Sequence, residues 1–215
     1  MRFLLFNRRH FTASLLTLIA SGFALAAAPK PRTVLVLGDS LSAEYGLPRG
    51  SSWVALLQQQ LDKTHPGTLV VNASISGETT SGGRSRLPAL LRQHQPSHVI
   101  VELGGNDALR GLPVEMTQDN LAFLLRASRE AGARTLLLGM QMPPNYGAEL
   151  TRRFAALYPK LAKQEGAALV PFFLKGVGDD PDPLRWFQAD RIHPNEAAQP
   201  RLLANVWPEL KKLLA

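Results

Sequence analysis

Thr33-Val34-Leu35-Val36-Leu37-Gly38-Asp39-Ser40-Leu41-Ser42 begins with five apolar or β-branched residues and ends on a polar corner. A run this short and unbroken, stopped by Gly38, reads as a strand buried on both faces, the kind that parallel sheets contain. Four more runs share its character, at residues 68–72, 98–103, 135–139 and 168–170. Between them, helical spacing recurs around residues 53–61, 86–93, 120–131 and 150–165, with a last stretch over 196–213. Strict alternation of strand and helix implies parallel crossovers. The expected fold class is therefore α/β, a three-layer α/β/α sandwich with a five-stranded parallel sheet. Ligand sites in such sheets lie beyond the carboxyl ends of the strands, so the residues just after each run carry the functional reading.

Those residues are Gly38-Asp39-Ser40-Leu41-Ser42 after the first run, Ser76-Gly77-Glu78-Thr79 after the second and Gly104-Gly105-Asn106-Asp107 after the third. A fourth group, Asp190-Arg191-Ile192-His193-Pro194, precedes the last helical stretch. Ser40 offers a hydroxyl nucleophile, which is weak until a base removes its proton. His193 is a base of the right strength near neutral pH, and Asp190 can hold the imidazole in one tautomer and stabilise its cation. The backbone N–H groups of Ser40 and Gly77 and the side-chain amide of Asn106 are candidate donors to an oxyanion. Taken singly, Ser40 reads as a helix N-cap, Gly77 as a turn residue and Asn106 as part of an Asx turn. Four such groups at four strand ends outweigh those separate readings. Asp39 and Asp107 read as structural supports.

The four blocks, in this order, resemble those of the SGNH (GDSL) hydrolase superfamily over roughly residues 33–210. The similarity is greatest to its periplasmic thioesterase I, lysophospholipase and arylesterase branch, through Asn72-Ala-Ser-Ile-Ser-Gly-Glu-Thr-Thr80, Pro143-Pro-Asn-Tyr-Gly147 and His193-Pro-Asn-Glu-Ala-Ala-Gln-Pro200. The resemblance implies a flavodoxin-like sandwich, a Ser40-His193-Asp190 triad, the oxyanion donors just named and no cofactor. It also implies an acyl ester, thioester or lysophospholipid as substrate, hydrolysed through an acyl-enzyme on Ser40. Two positions depart from the family pattern: Glu44, where small residues are common, and Arg191, where glycine is. Both bear on the charge at the mouth of the site. Leu109 and Leu112, in the loop expected directly after Asn106, are expected to border an acyl pocket. Pro144 and Trp186, the latter on the long irregular segment 171–190, are expected to touch substrate as well. Trp53 and Trp207 fall in helical runs and are expected in the core. A carbohydrate O-deacetylase using the same residues, and a non-catalytic periplasmic lipid or solute binder, remain alternatives.

At 215 residues the chain suits one domain. Residues 1–26 stand apart: Arg2, Arg8 and Arg9 precede an apolar stretch and the small-residue end Ala24-Leu25-Ala26. That is the pattern of a secretory signal peptide, with cleavage expected after Ala26 or Ala28 and a hydrolase domain over 30–215. Export to the periplasm or beyond is expected, by the general secretory route, with the twin-arginine route as the alternative that Arg8-Arg9 suggests. Without those three arginines the formal charge falls from +7 to +4. This removes the main support for nucleic-acid binding, while a mildly basic surface is compatible with transient contact with membrane lipids. No cysteine occurs, so neither a disulfide nor a thiolate metal site can form. His65, His94 and His98 lack metal-ligand spacing and are expected at the surface. No metal is expected, and a monomer is.

Overall fold

The computed structural model describes residues 32–142 and 146–215. The expected signal peptide, and Pro144, lie outside the described residues. In chain order the elements are β1 (Thr33–Gly38), α1 (Trp53–Thr64), β2 (Leu69–Asn72), α2 (Thr80–His94), β3 (His98–Glu102), α3 (Gly105–Leu109), α4 (Val114–Glu130), β4 (Arg134–Leu138), α5 (Ala148–Glu165), β5 (Ala168–Val170) and α6 (Gln199–Leu214). All strand pairs are parallel, in the order β2-β1-β3-β4-β5. The central strands β1, β3 and β4 are buried almost throughout, and the edge strands β2 and β5 only in part. That is why the central ones read as continuous apolar runs. Helices α1 and α6 pack together on one face, and α2, α4 and α5 side by side on the other. Leu35, Leu37, Ile100, Leu57, Leu121, Leu202 and Val206 are fully excluded from solvent in the core they share.

The strand order reverses between β1 and β3, the point at which doubly wound sheets open a crevice at their carboxyl ends. Ser40 follows β1 and Asn106 follows β3, so topology alone carries both to that crevice.

Three boundaries differ from expectation. α2 begins at Thr80, six residues before its helical spacing becomes visible in sequence, because Gly82-Gly83 resembles a loop. Thr79 caps it by accepting the Gly82 N–H, and Gly83 lets the helix lie flush on Leu103, whose Cδ1 would stand 2.5 Å from any Cβ there. α4 starts at Val114, just after Pro113, well ahead of Asn120. The segment after Asn106, expected as loop, forms the short helix α3 as far as Leu109.

His98 corrects a further expectation: it is buried, not at the surface. Its Nε2 donates to the Leu213 carbonyl at 3.0 Å and its Nδ1 meets Ser97 Oγ at 2.9 Å. Burial, with Arg134 and Arg32 nearby, holds its pKa below the ordinary histidine value. Those two arginines bond to the same helix end, Arg32 to the Leu214 carbonyl at 2.7 Å and Arg134 to that of Leu213 at 2.5 Å. Cationic and N–H donors thus satisfy the carbonyls left open at the end of α6. Trp53 is in the core as expected, while Trp207 is half-buried, edge-on to His65.

Candidate active site

Gly38 shapes the first corner. It lies in register beside Glu102 on β3, and a Cβ at position 38 would stand 2.7 Å from Glu102 Oε2 and 2.8 Å from Ser42 Oγ. The glycine is therefore required by close approach. Beyond it the chain turns sharply: the Asp39 carbonyl accepts the N–H groups of Ser42 and Ala43 at 3.2 and 3.0 Å, and Asp39 Oδ1 accepts that of Leu41 at 3.0 Å. Ser40 is left half-buried at the apex, on the wall of a cavity.

The second half of the site is built by Asp190. Its Oδ1 accepts the N–H groups of Ile192 and His193 at 2.9 and 3.0 Å, an Asx-type turn that fixes the segment. Its Oδ2 lies 2.6 Å from His193 Nδ1. The backbone bond from His193, the imidazole itself and the Ile192 N–H hold this carboxyl down at a pKa of about 2. An ionised Asp190 requires the proton of neutral His193 to sit on Nδ1, which leaves Nε2 as an acceptor. Nε2 lies 2.9 Å from Ser40 Oγ. The hydroxyl thus donates to the imidazole and the imidazole to the carboxylate.

Two further contacts brace the histidine. The Tyr45 ring lies against it with centroids 4.3 Å apart, and Gln188 Nε2 donates to the carbonyls of Tyr45 and Pro194 at 2.9 and 3.2 Å, tying the histidine segment to the nucleophile loop. Glu44 and Arg191 both stand in left-handed backbone, each with φ of 59°, which costs a non-glycine residue roughly 1–2 kcal/mol. At position 191 a glycine would escape that cost. The Glu44 carboxylate also holds its own loop, since Oε1 accepts the N–H groups of Gly50 and Ser52 at 2.9 and 3.2 Å.

Asn106 is the second residue of α3, and its amide donates to Asp39 Oδ2 at 2.9 Å. Asp107 next to it is fully buried. Its carboxylate receives the Thr80 N–H at 2.9 Å, the Thr80 hydroxyl and the Thr117 hydroxyl at 3.3 Å, which pins α3 to the starts of α2 and α4. Gly77, with φ of 78°, precedes α2, and its carbonyl accepts from Arg110 Nη2 at 2.8 Å.

The cavity holds about 320 Å³, with Ser40, Asn106 and His193 on its wall and Leu41, Leu109, Met140, Met142, Phe154, Leu174 and Ile192 among its apolar lining. Leu109 borders it while remaining half exposed. Leu112 does not: it lines an adjoining hollow of about 250 Å³, and Ala108, Met142 and Phe154 are shared between the two. Trp186 also lies away from the cavity wall. Its Nε1 donates to Asp180 Oδ2 at 3.0 Å, and the guanidinium groups of Arg185 and Arg201 cover the ring at 4.8 and 4.6 Å. Sequence reasoning did not anticipate Glu102, Tyr45, Met140, Met142, Phe154 or Leu174. Only Glu102 carried a signal, a lone charge in an otherwise apolar central strand. The others depend on side-chain direction at distant points of the chain.

A doubly wound sheet with a serine, an imidazole and a carboxylate in hydrogen-bonded series at its switch point is an architecture of the ester hydrolases. The chain belongs to the GDSL-like lipase/acylhydrolase family, whose pattern matches residues 36–200. Among its relatives, Esterase TesA of Pseudomonas aeruginosa is 54% identical over 183 residues, 85% of this chain and 90% of that one. The protein of Escherichia coli K12 named thioesterase 1/protease 1/lysophospholipase L1 is 48% identical, over 93% of this chain and 91% of its own. A crystal structure of TesA superposes with a TM-score of 0.81 at 53% identity, covering 85% of this chain and 99% of that one.

Proposed function

We propose that the protein hydrolyses acyl esters and thioesters through an acyl-enzyme on Ser40. The observation that carries this reading is the series Ser40 Oγ, His193 Nε2 and Nδ1, Asp190 Oδ2, at 2.9 and 2.6 Å, on the wall of an apolar cavity. Ser40 Oγ attacks the acyl carbonyl while His193 Nε2 takes its proton, and Asp190 stabilises the imidazolium. The N–H groups of Ser40 and Gly77 and the Asn106 amide receive the oxyanion. His193 then protonates the departing alcohol or thiol, and water activated by the same imidazole releases the acid. The names of the relatives, an esterase and a thioesterase/lysophospholipase, support acyl esters and thioesters as the substrate class. The apolar cavity favours alkyl chains over the acetyl groups that a deacetylase would remove.

The test is stoichiometric labelling by a fluorophosphonate together with hydrolysis of p-nitrophenyl esters and acyl-CoA. Ser40→Ala should abolish labelling and reduce turnover by more than about a thousand-fold, since members of a triad act as a unit. Retained turnover in that variant would falsify the nucleophile, and an unlabelled, inactive wild type would leave the non-catalytic binder as the reading.

A further inference from the structure

Beneath Ser40 lies a pair of carboxyl groups that the proposed cycle does not use. Asp39 is 2% exposed and Glu102 not at all. Asp39 spends each of its oxygens on a different donor: Oδ1 accepts the Leu41 N–H at 3.0 Å, and Oδ2 accepts the Asn106 amide at 2.9 Å. The first bond shapes the turn that presents Ser40. The second fixes one of the two amide protons of Asn106, which determines where the other points. Below, Glu102 Oε2 accepts the Asp39 N–H at 3.2 Å and the Ser42 hydroxyl at 2.8 Å, and Oε1 has no partner among the described residues. Burial, and then the neighbouring Asp39, push Glu102 well above the ordinary glutamate value, so it is neutral and Asp39 carries the charge of the pair. Asp39 in turn is raised to about 6, mainly by burial, against the pull of its bonds from Leu41 and Asn106.

Resting on the reading of Ser40 as nucleophile, we infer that Asp39 is a positioning residue, whose carboxylate aims the Asn106 amide at the oxyanion. The chemistry requires a carboxylate in particular. An ionised carboxyl can accept from both Leu41 and Asn106, whereas an asparagine or a protonated aspartate has one full acceptor and must release one of them. The charged and titratable groups that act on Asp39 are Glu102 from β3, His193 from the segment before α6 and Asp107 from α3, and the buried Tyr158 phenol of α5 also senses it. None of these is a cation other than His193 when protonated.

The experiment is a double-mutant cycle on p-nitrophenyl esters, with fluorophosphonate labelling of the wild type showing independently that Ser40 is the nucleophile. Asn106→Ala should lower kcat by about a hundred to a thousand-fold with KM little changed. Asp39→Asn should lower kcat roughly ten- to a hundred-fold with KM unchanged, and Asp39→Asn/Asn106→Ala should be within about three-fold of Asn106→Ala alone, because a residue acting through another adds nothing once that one is gone. The pH profile supplies a readout that needs no variant at Asp39. In the wild type the acid limb of kcat/KM contains the ionisation of Asp39 near pH 6. In Asn106→Ala, where the orientation of the amide no longer matters, that contribution should be lost and the acid slope should fall. Additive losses in the double variant, or an unchanged acid slope in Asn106→Ala, overturn the assignment even where Ser40 is labelled. Failure to label wild-type Ser40 instead defeats the underlying reading.

Discussion

Ala108 lies in α3, two residues after Asn106, on the wall of the Ser40 cavity and of the adjoining hollow. Replacing it with phenylalanine puts a ring where an acyl chain would run. Each methylene transferred from water into an apolar site is worth about 0.8 kcal/mol, or roughly four-fold in affinity. If four methylenes of an octanoyl chain enter the cavity, they contribute about 3 kcal/mol, so the wild type should favour octanoyl over acetyl by about two orders of magnitude in kcat/KM. The six carbons of the introduced ring would occupy comparable space, and Ala108→Phe should reduce that preference to roughly ten-fold or less, with acetyl turnover kept within about three-fold. Overpacking costs typically about 1–3 kcal/mol, so thermal unfolding has to be followed alongside. The assay is kcat/KM for p-nitrophenyl acetate, butyrate, hexanoate and octanoate in both proteins. A wild type that prefers acetate refutes the cavity as acyl pocket, and an Ala108→Phe enzyme that still prefers octanoate refutes the path assigned to the chain.

Asp190→Asn should leave KM unchanged and lower kcat at neutral pH by about a thousand- to ten-thousand-fold, since an amide no longer requires Nδ1 to hold the proton; single-turnover kinetics across pH checks it, and a wild-type profile would break the pairing. Glu102→Gln should flatten the pH dependence of stability. The folded-state pKa of Glu102 is raised by burial, so the native protein keeps a proton that the unfolded chain has released, and the stability this gives is complete below the unfolded pKa and lost as pH rises through the folded one. Urea unfolding at several pH values should show wild type weakening towards alkaline pH relative to Glu102→Gln, and a constant difference between the two would disprove a neutral Glu102.

What the sequence made legible follows from physics that acts locally. Strands β1, β3 and β4 are buried on both faces, so their runs could carry almost no polar residue, and the polar blocks at their ends stood out against them. Asp190 and His193 were legible because an Asx turn needs both within three residues. Gly82-Gly83 concealed the start of α2, since the close packing on Leu103 that rewards glycine there appears only in three dimensions. Glu102 stood out as a lone charge in its run, but its role did not: a buried carboxyl in a central strand is unfavourable alone, and the bonds to Asp39 and Ser42 that accommodate it reach sixty residues and more away in the chain. Leu112 and Trp186 are suggested only by residue type and nearness in sequence. Neither measure carries direction, and one borders the neighbouring hollow while the other packs between two arginines.

The bonds from Arg32, His98 and Arg134 to the carbonyls of Leu213 and Leu214 bring residue 32 and residue 214 side by side at the amino edge of the sheet. The cavity opens at the opposite, carboxyl edge. The stretch from residue 32 to residue 215 is thereby nearly a ring, lacking one short bridge. Joining residue 215 to residue 32 with a few glycines and opening the stretch instead at the exposed Pro66-Gly67 turn before β2 would leave every hydrogen bond around Ser40 in place, since surface turns and neighbouring segment ends are where folds accept such rewiring. The order in which the strands are strung is thus separable from the chemistry they carry, and a tether at residue 32 or residue 215 would not cross the path of a substrate.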